Sequence, residues 1–511
     1  MNAVRRLNPL LLVTPALVVA LALDQGGFDP SAWVWSGALA AWAAATAAVV
    51  WRELRVARAS WTWLASGCAV LAWTAASWVW SDRRTQTVLE VRRTTVYAAA
   101  VLALVVLVRK SSAERMLALT HAAVTGVVAY ALARYLIEPR TIDPFEGTLL
   151  SQPLGYANAL AALAAIGLVL AVGLASVART PATRAAFAAT VPVFAAALPL
   201  TQSRGAAVAL AAGLAVVVLC TDDASPLVRT GIVAAPGAVV AAALSAVSQL
   251  GDEHASPHAH AAWIVGLVTL ACVAGTAIAA LRIGASARGL RPPKLAIAAL
   301  LLCGTAAAAF VTSLTQPRSS LWGVAWHEFT SHVVGGTGAG TFAIAWVRSG
   351  LVVSRGGALD AHSLYLETLA ELGAIGLVLV IVFLALPLVR VSRLRDGVAP
   401  VAAGAYVFFL VHTGLDWDWE MPAVVLAGLC CASVALAGGD EPKPNAPIGR
   451  GVIVALALAL GVLSIAGARS SSEPGVARRL PLAVLGARPA LVVVVAVPVM
   501  LPVLAVSPRL G

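Results

Sequence analysis

Charged residues are scarce in this 511-residue sequence: Asp, Glu, Lys and Arg make up 12% of it, whereas hydrophobic residues make up 60%. Typical soluble domains contain about 25% charged residues. A soluble protein of this length could not cover its surface with so few charges, so the composition excludes one. Intrinsic disorder is excluded as well, because disordered chains are poor in apolar residues.

The sequence also lacks a polar stretch long enough for a soluble domain. Apolar runs of about 15 to 24 residues recur along the whole chain, a pattern typical of transmembrane helices. We therefore predict an all-α, polytopic membrane helical bundle with about 14 to 16 transmembrane helices and one large outer loop. The first run follows Arg5 and Arg6 and is interpreted as a retained signal-anchor rather than a cleaved signal peptide.

The order of runs and loops predicts four parts. They are transmembrane helices 1–11 over residues 1–314, a large extracytoplasmic loop over 315–363, helices 12–14 over 364–437, and an extra C-terminal transmembrane hairpin over 438–511, with spans near 451–467 and 489–506. The outer loop carries several aromatic residues, which argue against disorder there.

Cysteine usage gives no sign of a metal site or a disulfide framework. Six cysteines lie in or at the ends of apolar runs, and none forms a C-x-x-C pair. We interpret them as small buried hydrophobic residues.

The formal net charge of +11 is interpreted as a topology signal. With a cytoplasmic N-terminus and alternating spans, most Lys and Arg residues fall in cytoplasmic segments, as the positive-inside rule expects. We therefore expect no nucleic-acid partner. The protein is predicted in the cytoplasmic membrane, and the arginines that remain on the outer side attract attention as candidate functional groups.

Two of these outer arginines are candidates for holding a diphosphate. Arg204, in T-Q-S-R-G-A-A, lies where one apolar run passes directly into the next, and Arg318 opens the outer loop in Q-P-R-S-S-L-W. A guanidinium group can pair bidentately with phosphoryl oxygens. For Arg204, an interfacial arginine that contacts lipid headgroups is the alternative interpretation.

His362 is the candidate general base. Asp360 is a plausible N-cap, which predicts His362 in the first turn of the following helix. The positive end of the helix dipole would disfavour an imidazolium there. A neutral imidazole at the outer surface could take a proton from an incoming hydroxyl group. A first-turn polar residue without a chemical role is the alternative.

Glu367 and Glu371 are one helical turn apart and share a helix face. His362 lies five residues before Glu367, about 140° around the helix, so these glutamates are not expected to orient it. They are predicted either to pair with arginines elsewhere or to contact an acceptor sugar.

Two motifs of the outer loop are set aside. The run G-G-T-G-A-G at 335–340 lacks the G-K-[ST] ending of a phosphate-binding loop and follows no strand. His327, Glu328 and His332 form H-E-x-x-x-H, which is one residue too long for the helical zinc motif.

The segment H-T-G-L-D-W-D-W-E-M-P at 412–422 carries several ionisable groups at a membrane boundary. His412 and Asp416 are one turn apart, and intramembrane ionisable groups are functional candidates by default. Two interpretations remain open: a His/Asp proton relay, which would suit a proton-linked solute transporter, and acidic residues that pair with outer arginines of neighbouring loops. The absence of a recognisable inverted repeat counts against a transporter.

Four segments together resemble the O-antigen ligase and polymerase superfamily of bacterial membrane glycosyltransferases, in a form like those of actinobacteria. They are P-L-G-Y-A-N-A-L (153–160), T-Q-S-R-G-A (201–206), the run from Arg318 through G-G-T-G-A-G-T-F, and H-S-L-Y-L-E-T-L-A-E-L-G-A-I-G-L (362–377).

The resemblance implies a metal-independent, cofactor-free transfer of a glycan from a polyprenyl diphosphate to an acceptor hydroxyl, with inversion, on the outer face of the membrane. It implies that Arg204 and Arg318 bind the diphosphate and that His362 is the base or positions the acceptor. We assign further substrate contacts to Glu367 and Glu371 and to the three residues Tyr156, Asn158 and Asp416.

Overall fold

A computed structural model describes most of the chain, namely residues 8–138, 142–248, 250, 252, 259–282, 293–299, 301, 318–351, 358–389, 397–437 and 447–466. Within these residues the chain is helical, apart from loops and one isolated β-bridge between Asp143 and Gly147. The prediction of an all-α fold is therefore confirmed.

We number the described α-helices α1 to α17 in chain order. Their bounds are α1 Val13–Leu23, α2 Pro30–Val50, α3 Arg58–Ala76, α4 Arg84–Leu107, α5 Ala113–Ile137, α6 Ala157–Val177, α7 Pro181–Ala188, α8 Val191–Thr201, α9 Arg204–Cys220, α10 Ser225–Val247, α11 Ala259–Arg282, α12 Ser319–Ser331, α13 Phe342–Arg348, α14 Leu364–Ala385, α15 Ala399–Thr413, α16 Pro422–Leu436 and α17 Pro447–Ala466.

Eight helical segments of the described part are long and apolar enough to cross a membrane, and four shorter apolar helices accompany them. The predicted polytopic membrane bundle is thus confirmed. The segment Pro181–Thr201 is built from two helices, α7 and α8. Pro192, which has no N–H to donate, lies in the first turn of α8. Of the predicted C-terminal hairpin, the structure describes α17, and the predicted span near 489–506 lies outside the described residues.

Helices α9 and α15 cross at unusually close range. A Cβ atom added to Gly213 would lie 2.7 Å from the Gly404 carbonyl oxygen, and one added to Gly404 would lie 2.6 Å from the Gly213 carbonyl oxygen. Only glycine lets the two backbones approach in this way, as at other tight helix crossings in membranes. The crossing fixes the start of α9 beside the end of α15.

Successive helices alternate in direction, so the loops gather at two ends of the bundle. At one end the loop before α6 meets the end of α8, where Leu150 N–H donates to the Leu200 carbonyl at 2.9 Å. We call this the site end. At the opposite end Arg450 donates to the Trp51 carbonyl, and the Arg109 guanidinium lies 4.5 Å from the Trp51 ring centroid. The interfacial tryptophan and the arginines at this second end resemble a membrane boundary.

The glycine-rich run of the outer loop is a docking segment that lies directly on α14. Gly373 breaks α14 with φ +67°, and a Cβ there would lie 2.3 Å from the Val334 carbonyl oxygen. A Cβ on Gly336 would lie 2.2 Å from the Glu371 carbonyl carbon. The loop backbone therefore packs against an interrupted helix backbone, and side chains at these glycines would prevent the contact.

The outer loop also contributes a small apolar cluster. Leu321 and Val324 of α12 pack with Phe342 and Trp346 of α13 and with Ala370 of α14. This cluster attaches the two short loop helices to the bundle and positions Arg318, which immediately precedes α12.

Candidate functional site

The carboxylate of Asp416 is the centre of the candidate site. Asp416 lies in the loop after α15 at the site end and is only 1% exposed. Its Oδ1 accepts hydrogen bonds from the Tyr156 hydroxyl at 2.5 Å and the Trp417 N–H at 2.9 Å. Its Oδ2 accepts from Asn158 Nδ2 at 2.7 Å and Arg318 Nη2 at 2.9 Å. Both oxygens are therefore occupied by protein donors.

Arg318 is held in place by this carboxylate while part of its guanidinium remains accessible. Its side chain is 30% exposed, and the ion pair to Asp416 uses Nη2. A guanidinium carries five N–H donors in a rigid fork. The donors that are not used by Asp416 can therefore face an anion from the open side.

Tyr156 and Asn158 lie at the start of α6 and fix the buried side of the carboxylate. Asn158 Nδ2 also donates to the Tyr156 hydroxyl at 2.8 Å, and the Tyr156 ring stacks on Trp417 with ring centroids 4.3 Å apart. Burial, followed by the nearby negative charge of Asp416, raises the pKa of the Tyr156 hydroxyl well above its usual value. Tyr156 therefore remains a proton donor toward Asp416.

The predicted helical position of His362 is wrong. Ser363 is the N-cap of α14 and the helix begins at Leu364, so His362 lies before it, with a left-handed φ of +50°. Asp360 does not cap α14; its Oδ1 accepts the His362 backbone N–H at 2.9 Å. The turn that this bond closes places the imidazole outside the helix, because short Asp-type turns compete with helical hydrogen bonding.

The expected effect of the helix dipole on His362 is also reversed. The imidazole Nδ1 lies 2.6 Å from Asp360 Oδ1 and forms an ion pair with it, although the two atoms are not aligned for a hydrogen bond. Burial lowers the pKa of His362, but the contact with Asp360 and the charges of Asp360 and Asp416 outweigh it, so the net pKa is raised. His362 senses the field of both Asp416 and Arg318.

Arg204 is the first residue of α9, and its side chain is exposed at the site end. The next residue, Gly205, faces His412 at the end of α15. Ser203 caps the helix by accepting the Ala206 N–H at 3.4 Å. Arg204 thus lies in the same region of the bundle as the Asp416 centre.

Glu367 and Glu371 bind backbone rather than arginine side chains in the described part of the chain. Glu367 Oε2 accepts the Ala361 N–H at 2.6 Å. The two oxygens of Glu371 accept the N–H groups of Gly340 and Phe342, each at 2.8 Å. Both glutamates are 7% exposed. Their observed contacts hold the His362 turn and the glycine-rich segment in place.

Two charged groups near the site were missed by sequence reasoning. Arg93 of α4 is 7% exposed, pairs with Glu90, and lies 2.8 Å from Glu420, which follows the Asp416 loop. A charged residue so close to an apolar run was a usable signal, because such residues are rarely without a partner. Glu146 gave no comparable signal, since its partner is the Ala157 backbone N–H at 3.3 Å.

Glu146 is nevertheless part of the support for α6. It lies in the loop before the helix and is 9% exposed. Burial raises its pKa to about 7, although the Ala157 N–H opposes the rise. Its protonation therefore changes near neutral pH, one residue away from Tyr156 in the hydrogen-bonded network.

Metal ligation is not indicated by any group of three His, Cys, Asp or Glu side chains within the described residues. The arrangement instead presents guanidinium and imidazole groups held by buried carboxylates. Such a set can bind an anion and exchange a proton with a hydroxyl group.

Comparison with protein families gives one match: residues 188–381 match the O-antigen ligase family. The chain belongs to the O-antigen ligase and polymerase superfamily. It is accordingly a multi-pass membrane protein of the glycan ligase and polymerase class. A comparison with curated proteins gives no match.

The matched O-antigen ligase region contains five of the predicted site residues, Arg204, Arg318, His362, Glu367 and Glu371. The remaining three, Tyr156, Asn158 and Asp416, lie outside it, on α6 and in the loop after α15. The candidate site is therefore assembled from the matched region and from flanking helices.

Proposed function

We propose that this O-antigen ligase family member transfers a glycan from a polyprenyl diphosphate to an acceptor hydroxyl at the outer face of the cytoplasmic membrane. The observation that carries the proposal is the Asp416–Arg318 ion pair at 2.9 Å, with the carboxylate buried and the guanidinium partly open. A buried carboxylate that holds a guanidinium in one orientation preorganises it for an incoming anion.

In this mechanism Arg318 and Arg204 bind the diphosphate of the donor. As the bond between the anomeric carbon and the diphosphate oxygen breaks, negative charge grows on the leaving group. Fixed guanidinium groups stabilise that charge more in the transition state than in the ground state. The acceptor oxygen forms the new bond to the anomeric carbon from the opposite face.

His362 takes the proton of the acceptor hydroxyl. Its Nδ1 faces Asp360, which stabilises the imidazolium that forms. The left-handed turn at His362 places the ring before α14 rather than along it, and so leaves the ring on the loop side. The raised pKa makes the imidazole a stronger base, at the cost of a smaller neutral fraction at low pH.

The test is turnover by the full chain, purified in detergent and supplied with a polyprenyl-diphosphate glycan and an acceptor. We expect acceptor-dependent release of polyprenyl diphosphate, and loss of most of it in Arg318→Ala and in His362→Ala. Arg348→Ala is the matched control, because Arg348 is an outer-loop arginine that is 63% exposed and pairs with Asp82. Equal activity in all three variants would contradict the residue assignment.

A proton-linked solute transporter is the second candidate. The buried His412–Asp418 pair favours it, because such a pair can carry a proton within a membrane protein. This candidate predicts proton-driven solute uptake by proteoliposomes without glycan release. It also predicts that Asp416→Asn abolishes the uptake.

A further inference from the structure

A second His–Asp pair at the site end is not used by the mechanism above. His412 Nδ1 lies 2.9 Å from Asp418 Oδ2, and both residues are 0% exposed. The other ring nitrogen of His412, Nε2, is buried and has no hydrogen-bond partner in the described part of the chain. A buried polar atom without a partner is costly, and in native proteins it points to a function or an absent ligand.

The unpartnered nitrogen faces the first turn of α9. The nearest position that a side chain could occupy is the Cβ of Gly205, which would lie 3.7 Å from His412 Nε2 and 3.7 Å from Leu415 Cβ. Because residue 205 is a glycine, that space is left open. An oxygen at the same position would need to move only about 0.5 Å toward Nε2 to reach hydrogen-bond distance.

The first turn of α9 offers further donors on the same side. N–H groups in the first turn of a helix have no acceptor within the helix, and the positive end of the helix dipole favours an anion there. Ser203 accepts the N–H of Ala206, whereas the N–H of Gly205 lies one residue closer to the helix start. Arg204 follows the cap directly and is exposed.

We infer that the start of α9 and His412 form a phosphoryl-oxygen subsite, in which His412 Nε2–H and the Gly205 N–H donate to one phosphoryl group. Asp418 fixes the ring orientation through Nδ1 and balances the charge of a protonated imidazole, so that Nε2 is a donor. The inference rests on the proposed function, because the phosphoryl group that reaches this place is that of the lipid diphosphate beside Arg204.

The subsite is tested by measuring binding in two glycine variants. Gly205→Ala fills the space over Nε2 with a methyl group at an ordinary contact distance, so the fold is expected to tolerate it. Gly231→Ala is the control, because Gly231 is also a helical glycine and a Cβ there meets nothing within 4 Å. His412→Gln is the third variant, since it keeps a polar side chain but cannot carry a positive charge.

Binding of inorganic diphosphate and of a short-chain polyprenyl diphosphate to the full chain in detergent would be measured by isothermal titration calorimetry. We expect Gly205→Ala and His412→Gln to weaken binding about tenfold, the loss of one charge-assisted hydrogen bond, and Gly231→Ala to leave it unchanged. In 15N-histidine-labelled protein, the His412 Nε2 resonance, assigned by its absence in His412→Gln, should shift when diphosphate is added.

The source of the phosphoryl group is read from the two compounds. Equal weakening with both assigns the subsite to the phosphoryl group itself. Weakening that is confined to the polyprenyl compound assigns it to a phosphate delivered by the lipid chain. Wild-type affinity in Gly205→Ala, or an unmoved His412 resonance, would overturn the inference.

Failure of the inference differs from failure of the proposed function. If the wild type transfers glycan and Gly205→Ala binds diphosphate normally, only the subsite is wrong. If the wild type neither binds polyprenyl diphosphate nor releases it from a glycan donor, the proposed function itself is wrong.

Discussion

Replacement of Asp416 by Asn is the perturbation for which the site gives the clearest expectation. Both carboxylate oxygens accept hydrogen bonds, from Tyr156, Trp417, Asn158 and Arg318. An amide keeps one acceptor oxygen and turns the other position into a donor. One pair of donors would then face an NH₂ group, and Arg318 would lose its counter-charge.

The magnitude follows from the Arg318 contact. A hydrogen bond to a charged partner contributes about 1.5–3 kcal/mol. Arg318 is 30% exposed, so solvent screening favours the lower half of that range. If this energy is lost from transition-state binding, kcat/KM falls roughly 10- to 150-fold.

The assay is the acceptor-dependent release of polyprenyl diphosphate, with thermal unfolding of each variant as a check on folding. Asp82→Asn is the control, because the Arg348–Asp82 pair also lies on the outer loop but is 63% and 53% exposed. Exposed pairs contribute about 0–1 kcal/mol. If folded Asp416→Asn retains kcat/KM within about threefold of the wild type, the preorganising role of Asp416 is refuted.

Three further predictions concern protonation and loop docking. The pKa of His362 is raised through Asp360, so the acidic limb of the pH–kcat/KM profile should lie above about pH 6.5, and Asp360→Asn should move it to lower pH; a limb that stays in place would exclude His362 as the titrating base. Glu146 binds a proton more tightly in the folded state, with a pKa of about 7, so its contribution to stability is present below its ordinary pKa of 4.5 and is lost as the pH rises to 7. Glu146→Gln should therefore reduce the fall in unfolding temperature between pH 5 and pH 7, and an unchanged fall would contradict the assignment. Gly373→Ala should release the glycine-rich segment and increase its proteolysis, because a Cβ there would lie 2.3 Å from the Val334 carbonyl oxygen; Gly350→Ala, with a similar φ of +68° but nothing within 4 Å, separates this clash from backbone strain of about 1–2 kcal/mol. Equal proteolysis of the two variants would show that the clash is unimportant.

The fold class was predictable because transmembrane helices announce themselves by composition and run length. The division of Pro181–Thr201 into two helices was not predicted, although Pro192 lies at the division. Apolarity measures how well a segment suits the membrane, whereas a helix break depends on local backbone hydrogen bonding.

The candidate site was partly predictable for a related reason. In a chain with so little charge, Arg318 and Asp416 stand out, and the structure shows them in contact although they are 98 residues apart. Their pairing could not be read from the sequence, because it depends on how α6, the outer loop and the loop after α15 meet at one end of the bundle.

The errors at His362 and Glu371 have a common physical origin. Helix-end rules assumed a regular first turn, but an Asp360 side-chain bond closes a left-handed turn before α14 instead. Glu371 was read as an ion-pair or sugar contact, yet its oxygens accept backbone N–H groups of a loop about 30 residues away. Backbone partners carry no sequence signature, so contacts of this kind become visible only in three dimensions.

One measurement addresses the central claim most directly: the stoichiometry of products formed by the full chain in proteoliposomes supplied with a polyprenyl-diphosphate glycan, an acceptor and a proton gradient. The account predicts one polyprenyl diphosphate released for each acceptor glycosylated, independent of the gradient, and little of either product in Arg318→Ala. Gradient-driven movement of a solute without any released polyprenyl diphosphate would contradict it and identify a transporter.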